Sequence, residues 1–302
     1  MTDRVPLLMD VDTGIDDAMA IALATQLESC DLVAVTTVAG NVTVDHATRN
    51  TLNVLSWMGS EAPVSRGMSE PLSRPLFSAA DVHGKDGLGG WGIPTSERSV
   101  TGESAPETIL RISREYEGRL TLVFVGPLTN LAAALKLDPT LPERVHELVI
   151  MGGAFQRPGN VTPHAEFNIF VDPEAAAAIA RSSFRARWVG LDVTRQVRLT
   201  LEQWQSLAGV ESPGAILVRE VCRESIETKG LEGVTLHDPL ALAAALEPSL
   251  IGNRAGIVTV ATDHFRRGET RLTEATQDVE HEVAISVDSD RFMGMFRDCL
   301  AG

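Results

Sequence analysis

Three cysteines, three lysines and one tyrosine are all that this 302-residue chain holds of those residue types. Cys30, Cys222 and Cys299 are odd in number and far apart, which excludes a disulfide framework or a cysteine zinc cluster and reads as small buried hydrophobes. No apolar run approaches the ~20 residues that span a bilayer, and Thr2-Asp3-Arg4 leads straight into a strand-like segment with no signal-peptide pattern. The expectation is a cytoplasmic protein with no membrane partner. Positive charge is also short: 26 Lys and Arg stand against 41 Asp and Glu, for a formal net charge of −15. That balance argues against nucleic acid, whose phosphates demand basic patches, and against an anionic membrane surface. The three lysines among many arginines read as genome composition. Linkers, repeats and low-complexity tracts are absent, so residues 1–302 are expected to form one domain.

The composition that remains, 44% hydrophobic with 25 Gly and 15 Pro, is that of a globular chain with a sizeable core. Its pattern alternates strand and helix. Val5–Met9, Leu32–Val38 and Leu120–Val125 are short apolar runs suited to strands buried on both faces. "HELVIMGGA", "RARWVGLDVT", "GIVTVA" and "HEVAISV" supply further strands. Helical spacing runs from Asp16 to Glu28, from Val44 to Met58 and onward from about Leu128; "DPEAAAAIA" places Pro at the first position of another helix, and "SDRFMGMFRDCL" closes the chain. The implied architecture is α/β: a doubly wound, mainly parallel sheet with helices on both faces. Ligands of such sheets sit beyond the carboxyl ends of the strands. The polar clusters at Asp10–Asp17, Gly40–Asn41, Val125–Asn130 and Gly152–Gly153 all follow strand-like runs, so they should converge on one edge. Two long Gly-rich loops, Arg66 to Gly102 and Gly152 to Asn168, have the length of functional loops.

"LLMDVDTGIDDAMAIALA", Leu7 to Ala24, gathers Asp10, Asp12, Asp16 and Asp17 into eight residues. Like charges this close oppose one another's ionisation. Acids at a helix N-terminus explain Asp16 or Asp17 as caps but leave Asp10 and Asp12, two apart on the same side of a strand end, unexplained. Carboxylates without a neighbouring Lys or His suit a hard, oxygen-preferring cation, Ca²⁺ or Mg²⁺. "DVDTG" also echoes the Asp-x-Asp of haloacid dehalogenase-like phosphatases, but the lysine and late acidic pair of that chemistry lack good candidates, Lys136 lying mid-helix. His83 stands in the Gly-rich "DVHGKDGLGG". "GNVTPHAEFN" offers Asn160, Glu166 and Asn168, amides and a carboxylate suited to hydroxyl groups, although an Asx turn accounts for Asn160 alone. In "GVTLHDPLALAAAL", Asp238 and Pro239 would serve as a helix start, with His237 beside them.

Taken in order, "DVDTGIDDA", "AGN", "HGKDGLGG", "VGPLTNLA", "MGGA…GN…AEFN" and "HDP" resemble the nucleoside hydrolase family, the Ca²⁺-dependent N-ribohydrolases of inosine-uridine type, from about residue 5 to the C-terminal helix. The resemblance implies Ca²⁺ held by Asp12, Asp17, the Val125 carbonyl and Asp238, with Asp10 orienting its neighbours. It implies Asp12 as the base that takes a proton from a water on that ion. Asp16, Asn41, Glu166 and Asn168 would bind the ribose hydroxyls, Asn160 the 5′-hydroxyl, and Met151 would line the sugar pocket. His237 would act as acid for the leaving base, with His83 near the base or the 5′ end. The implied substrate is a small-molecule ribonucleoside, and the implied assembly a homodimer or homotetramer. A non-catalytic nucleoside-binding protein and a Mg²⁺-dependent phosphohydrolase are the competing readings. Two positions depart from the family pattern. Thr13 replaces its usual Pro, and "LVREVCRESIETKGLEG" lacks the tyrosines that many members place near the base, Tyr116 being the chain's only one.

Overall fold

The computed structural model describes residues 4–274 and 281–301. Its strands are Val5–Val11 (β1), Cys30–Thr37 (β2), Val64–Arg66 (β3), Leu120–Phe124 (β4), Val145–Met151 (β5), Ala186–Val189 (β6), Arg198–Thr200 (β7), Gly233–Thr235 (β8), Ile251–Val260 (β9), Thr270–Thr273 (β10) and His281–Val287 (β11). Nine of them form one sheet in the order β10-β9-β11-β6-β5-β4-β1-β2-β3, and β7 and β8 form a separate antiparallel ribbon. From β11 to β3 every neighbour is parallel, while β9 and β10 join antiparallel at one end. The sheet is therefore mainly parallel, as the alternating pattern implied.

Strand alternation sorts the core into two layers. Leu7, Met9, Val11, Val123 and Val149 pack with the helices Ile15–Gln26, Pro213–Arg223 and His237–Leu246. Leu8, Leu122, Phe124, Leu148 and Ile150 pack on the other face with Ala105–Glu115, Thr129–Leu137 and Pro173–Ala180. Continuous apolar runs are what a strand covered on both faces requires. The expected helices begin within a residue or so of where the sequence placed them. Pro173 opens its helix, capped by Asp172, whose carboxylate accepts from the Ala175 N–H (3.0 Å).

Some elements lack a clear sequence pattern. β3 is three residues long, and β7 and β8 are equally short; such pieces carry too few residues to show a period of two. The two long loops hold the short helices Ala80–His83 and Phe167–Val171, both of which reach the site described below.

His281 is fully buried at the start of β11. Its Nδ1 accepts from the Ala186 N–H (3.3 Å) and its Nε2 donates to the Ala180 carbonyl (3.0 Å), an arrangement open only to the neutral ring. Burial lowers its pKa below the ordinary 6.5. A depressed histidine pKa adds stability above pH 6.5 that is lost as pH falls through the folded-state value. Thermal unfolding followed from pH 8 to 5 should therefore show a falling Tm in the wild type and a shallower fall in His281→Gln; equal slopes would assign the acid lability elsewhere.

Candidate active site

Four parallel strands end side by side, and each delivers polar groups to the same edge. From β2 come Gly40 and Asn41, from β4 Val125 and Gly126, and from β5 Met151 to Gly153. β1 delivers Asp10 and Asp12, and the helix that follows delivers Asp16 and Asp17. The clusters read from the sequence do converge.

Asp17 is both a cap and a site residue. Its Oδ1 accepts from the Asp12 N–H (3.0 Å), and its Oδ2 accepts from the Gly14 N–H (2.9 Å) and from Asn41 Nδ2 (3.1 Å). Asp12 is fully buried. Its Oδ2 accepts from the Asn41 N–H (2.6 Å), while its Oδ1 has no partner. Gly40 and Gly126 press their backbones against this carboxylate, where a Cβ at either position would collide with it. Asp10 lies deeper, accepting from Thr36 Oγ1 (2.5 Å) and Asn130 Nδ2 (2.7 Å), and its Oδ1 is likewise unpartnered. Burial and mutual repulsion push these acids up: Asp10 and Asp16 to about 7, and Asp12 and Asp238 well above the carboxylate range.

The second long loop supplies the opposite wall. Glu166 accepts from the Asn168 (2.9 Å), Ile169 (3.2 Å) and Gly153 (3.3 Å) N–H groups, capping the helix Phe167–Val171, yet burial still raises its pKa to about 7. Asn168 Nδ2 donates to the Val125 carbonyl (2.7 Å) and the Met151 carbonyl (3.2 Å), which ties this loop to the ends of β4 and β5. A carbonyl oxygen keeps a second lone pair, so Val125 can still serve a cation.

His83 comes in on the first long loop. The Ile15 N–H donates to its Nδ1 (3.0 Å), which puts the ring proton on Nε2, and burial lowers its pKa to about 4. Lys229 Nζ fixes the same turn by donating to the carbonyls of Asp81 (3.1 Å) and Val82 (3.0 Å). His237 opens the helix His237–Leu246 with its Nδ1 2.7 Å from Thr194 Oγ1, and its pKa is also lowered to about 4 by burial.

These walls enclose a cavity of about 430 Å³, the size that holds a small ligand. Asp16, Asn41, His83, Val125, Met151, Asn160, Glu166, Asn168, His237 and Asp238 line it, while Asp12 and Asp17 do not: both are fully buried and joined to it through the lining residue Asn41. Asn160 sits exposed at the rim. Arg198, Ser225 and Thr235 also line the cavity, beside Ile15, Val82, Leu231 and Val234. Sequence reading missed Arg198, Ser225 and Thr235 because each stands in a piece of three to five residues that shows no period of its own. Lys136 is exposed on its helix and does not line the cavity, and neither does Tyr116.

The donor set tests as a cation site. Asp16, Asp17 and Asp238 bring carboxylate oxygens within 4.8 Å of one another. That grouping takes in Asp16, which the resemblance gives to the sugar, and leaves out Asp12, whose buried Oδ1 still lacks a donor. All these atoms are hard oxygens. They suit a metal ion that binds oxygen, and such a positive partner would relieve the repulsion among them.

A floor of carboxylates and amides suits a sugar whose anomeric carbon turns positive as its bond breaks, the chemistry of glycoside cleavage. The protein is a hydrolase of that glycosidase type. The chain belongs to the inosine-uridine preferring nucleoside hydrolase family, whose description matches residues 7–294. It is 38% identical to uridine nucleosidase 1 of Arabidopsis thaliana over 274 residues, covering 89% of this chain and 82% of that one. It is 37% identical to the non-specific ribonucleoside hydrolase RihC of Salmonella paratyphi B over 296 residues, covering 97% and 96%. Its fold superposes on a plant nucleoside hydrolase with a TM-score of 0.93 at 35% identity over 99% of both chains. The purine-preferring ribonucleoside hydrolase of Gardnerella vaginalis also gives a TM-score of 0.93, at 32% identity over 98% of both. Among the described residues no helix is long and apolar enough to cross a membrane.

Proposed function

We propose that the protein hydrolyses the N-glycosidic bond of ribonucleosides to free base and ribose, with Ca²⁺ as its resident ion and Asp12 as the base. The observation that carries this reading is the buried, donorless Oδ1 of Asp12, whose carboxylate is hydrogen-bonded to Asn41 in the wall of a sugar-sized cavity within a nucleoside hydrolase fold. Asp12, Asp17, Asp238 and the Val125 carbonyl would hold the ion, and Asp10, itself held by Thr36 and Asn130, would steady Val125, whose N–H donates to the Asp10 carbonyl (2.9 Å). Ca²⁺ bound there would lower the pKa of a water and fix the 2′- and 3′-hydroxyls. Asp12 accepts the proton of the attacking water. Asp16, Asn41, Glu166 and Asn168 hold the ribose, and their negative charge favours the oxocarbenium-like transition state. Met151 packs beneath the sugar, and Asn160 reaches the 5′-hydroxyl from the rim. His237 stands at the leaving base, its Nδ1 occupied by Thr194, and His83 offers Nε2–H from the long first loop.

The test is a panel of nucleosides assayed for free base and ribose, with and without a chelator. Activity should vanish with chelation and return with Ca²⁺, and Ca²⁺ should raise the Tm of chelated protein, because a ligand bound only to the folded state stabilises it. Stoichiometric zinc in gently purified protein, or full activity in chelator, would overturn the ion assignment. The same reading includes a cytoplasmic homodimer or homotetramer, for which light scattering at assay concentration is the check.

His237→Ala separates two roles. If His237 delivers a proton to the base, nucleoside turnover should fall tenfold or more while p-nitrophenyl riboside, whose leaving group needs no proton, is nearly unaffected. Parallel losses on both substrates, together with weaker Ca²⁺ binding, would show that His237 only steadies Asp238.

A further inference from the structure

Breaking an N-glycosidic bond separates charge: the sugar becomes positive and the base negative. The cavity floor answers the first half with Asp16, Glu166 and Asp238. Among the described residues the one permanent cation that lines the cavity is Arg198. It stands on β7 opposite Thr235 of β8, and its one side-chain hydrogen bond among those residues runs from Nη2 to the Gly233 carbonyl (3.2 Å). A guanidinium carries five N–H groups, so most of its donors remain uncommitted. The side chain is exposed, whereas Glu166 and Asp238 are buried, which puts the positive charge at the rim and the negative charge at the floor. Around it the cavity wall is apolar or neutral: Leu231, Val234, Thr235, and Ser225 on the π-helical turn Glu224–Thr228. No tyrosine reaches this end to hydrogen-bond a base.

We propose that Arg198 is a catalytic and specificity-determining residue that hydrogen-bonds a carbonyl oxygen of the departing base. The proposal rests on the ribonucleoside hydrolase reading above. As the C1′–N bond breaks, its electron pair passes to the base nitrogen and is shared with the ring carbonyl. Arg198 N–H groups meet that growing charge. The hydroxyl of a water adds to C1′, its proton goes to the carboxylate base, and the departing base takes a proton from His237 or from solvent. Arginine donates and never accepts, so the site prefers bases that present carbonyl oxygens to bases that present an exocyclic amine. A charged donor aimed at developing charge acts most strongly in the transition state, so its loss shows in kcat.

Arg198→Met and Arg198→Lys decide the matter, assayed on uridine, adenosine and p-nitrophenyl riboside with Tm as the folding control. Arg198→Met should lose about 10- to 100-fold in kcat on uridine, the scale of one charge-assisted hydrogen bond. It should change KM little, stay within about threefold on p-nitrophenyl riboside, and narrow the preference for uridine over adenosine. Arg198→Lys should fall between, and added guanidinium ion should recover part of the Arg198→Met loss. Unchanged uridine turnover in a folded variant overturns the proposal. Equal losses on all three substrates with a lowered Tm also overturn it, and leave Arg198 as a tie between β7 and β8. A wild type that cleaves neither uridine nor p-nitrophenyl riboside overturns the parent reading, and this one with it.

Discussion

Asp12→Asn should fold normally and lose at least 10²- to 10⁴-fold in turnover, the range that one positioned general base supplies. The substitution is close in shape. An amide oxygen still accepts from the Asn41 N–H as Asp12 Oδ2 does now, and Gly40 and Gly126 leave the same narrow slot around it. What disappears is an anion able to take a proton from water. An amide NH₂ turned toward the position of Oδ1 would also face the cation, so damage to the ion site adds to the loss. Metal analysis separates the two effects. A variant within tenfold of wild type at full Ca²⁺ occupancy would remove Asp12 from the role of base.

The second large effect concerns the sugar. 2′-Deoxyribonucleosides should be worse substrates than ribonucleosides by roughly 10⁴-fold, since a site built to hydrogen-bond a hydroxyl strands its buried polar groups when that hydroxyl is missing. The groups at stake are specific. Glu166 and Asn168 are buried and already held by backbone partners, so they cannot swing away to find others. Asn41 is tethered to Asp17. Burial raises the pKa of Glu166 to about 7, so an unanswered carboxylate there is costly. The measurement is kcat/KM for uridine against 2′-deoxyuridine under saturating Ca²⁺. Equal values would mean that these residues serve the fold and leave the 2′-hydroxyl unrecognised.

Much of this site was legible because its residues travel in tight local groups. Asp10 to Asp17 span one strand end and one helix start, so strand and helix periods alone place them together. Glu166 and Asn168 are two apart, and His237 and Asp238 adjacent. The rule that α/β sheets bind at carboxyl edges then joins these groups without any knowledge of strand order. Arg198 shows where that reasoning stops. "VRLT" reads as any short amphipathic strand, and nothing local says that its neighbour is Thr235 or that the two border a cavity. Asp17 shows a different limit: a capping role and a site role fit the same carboxylate, and both are realised at once.

The sequence by itself determined the alternating α/β architecture, the acidic character of the ligand edge and the identity of most of the polar residues around the cavity. Apolar periodicity and close spacing are properties of neighbours in the chain, and burial acts on them directly. Tertiary structure decided the rest. It turned β9 and β10 antiparallel at the sheet's end, tied Asn168 to Val125 and Met151, and fixed the His83 proton on Nε2 through the Ile15 N–H. It also set one guanidinium at the rim of an otherwise acidic pocket. Each of these depends on contacts between residues 10 or more positions apart, whose partners are selected by packing of the whole sheet and not by any local preference of the chain.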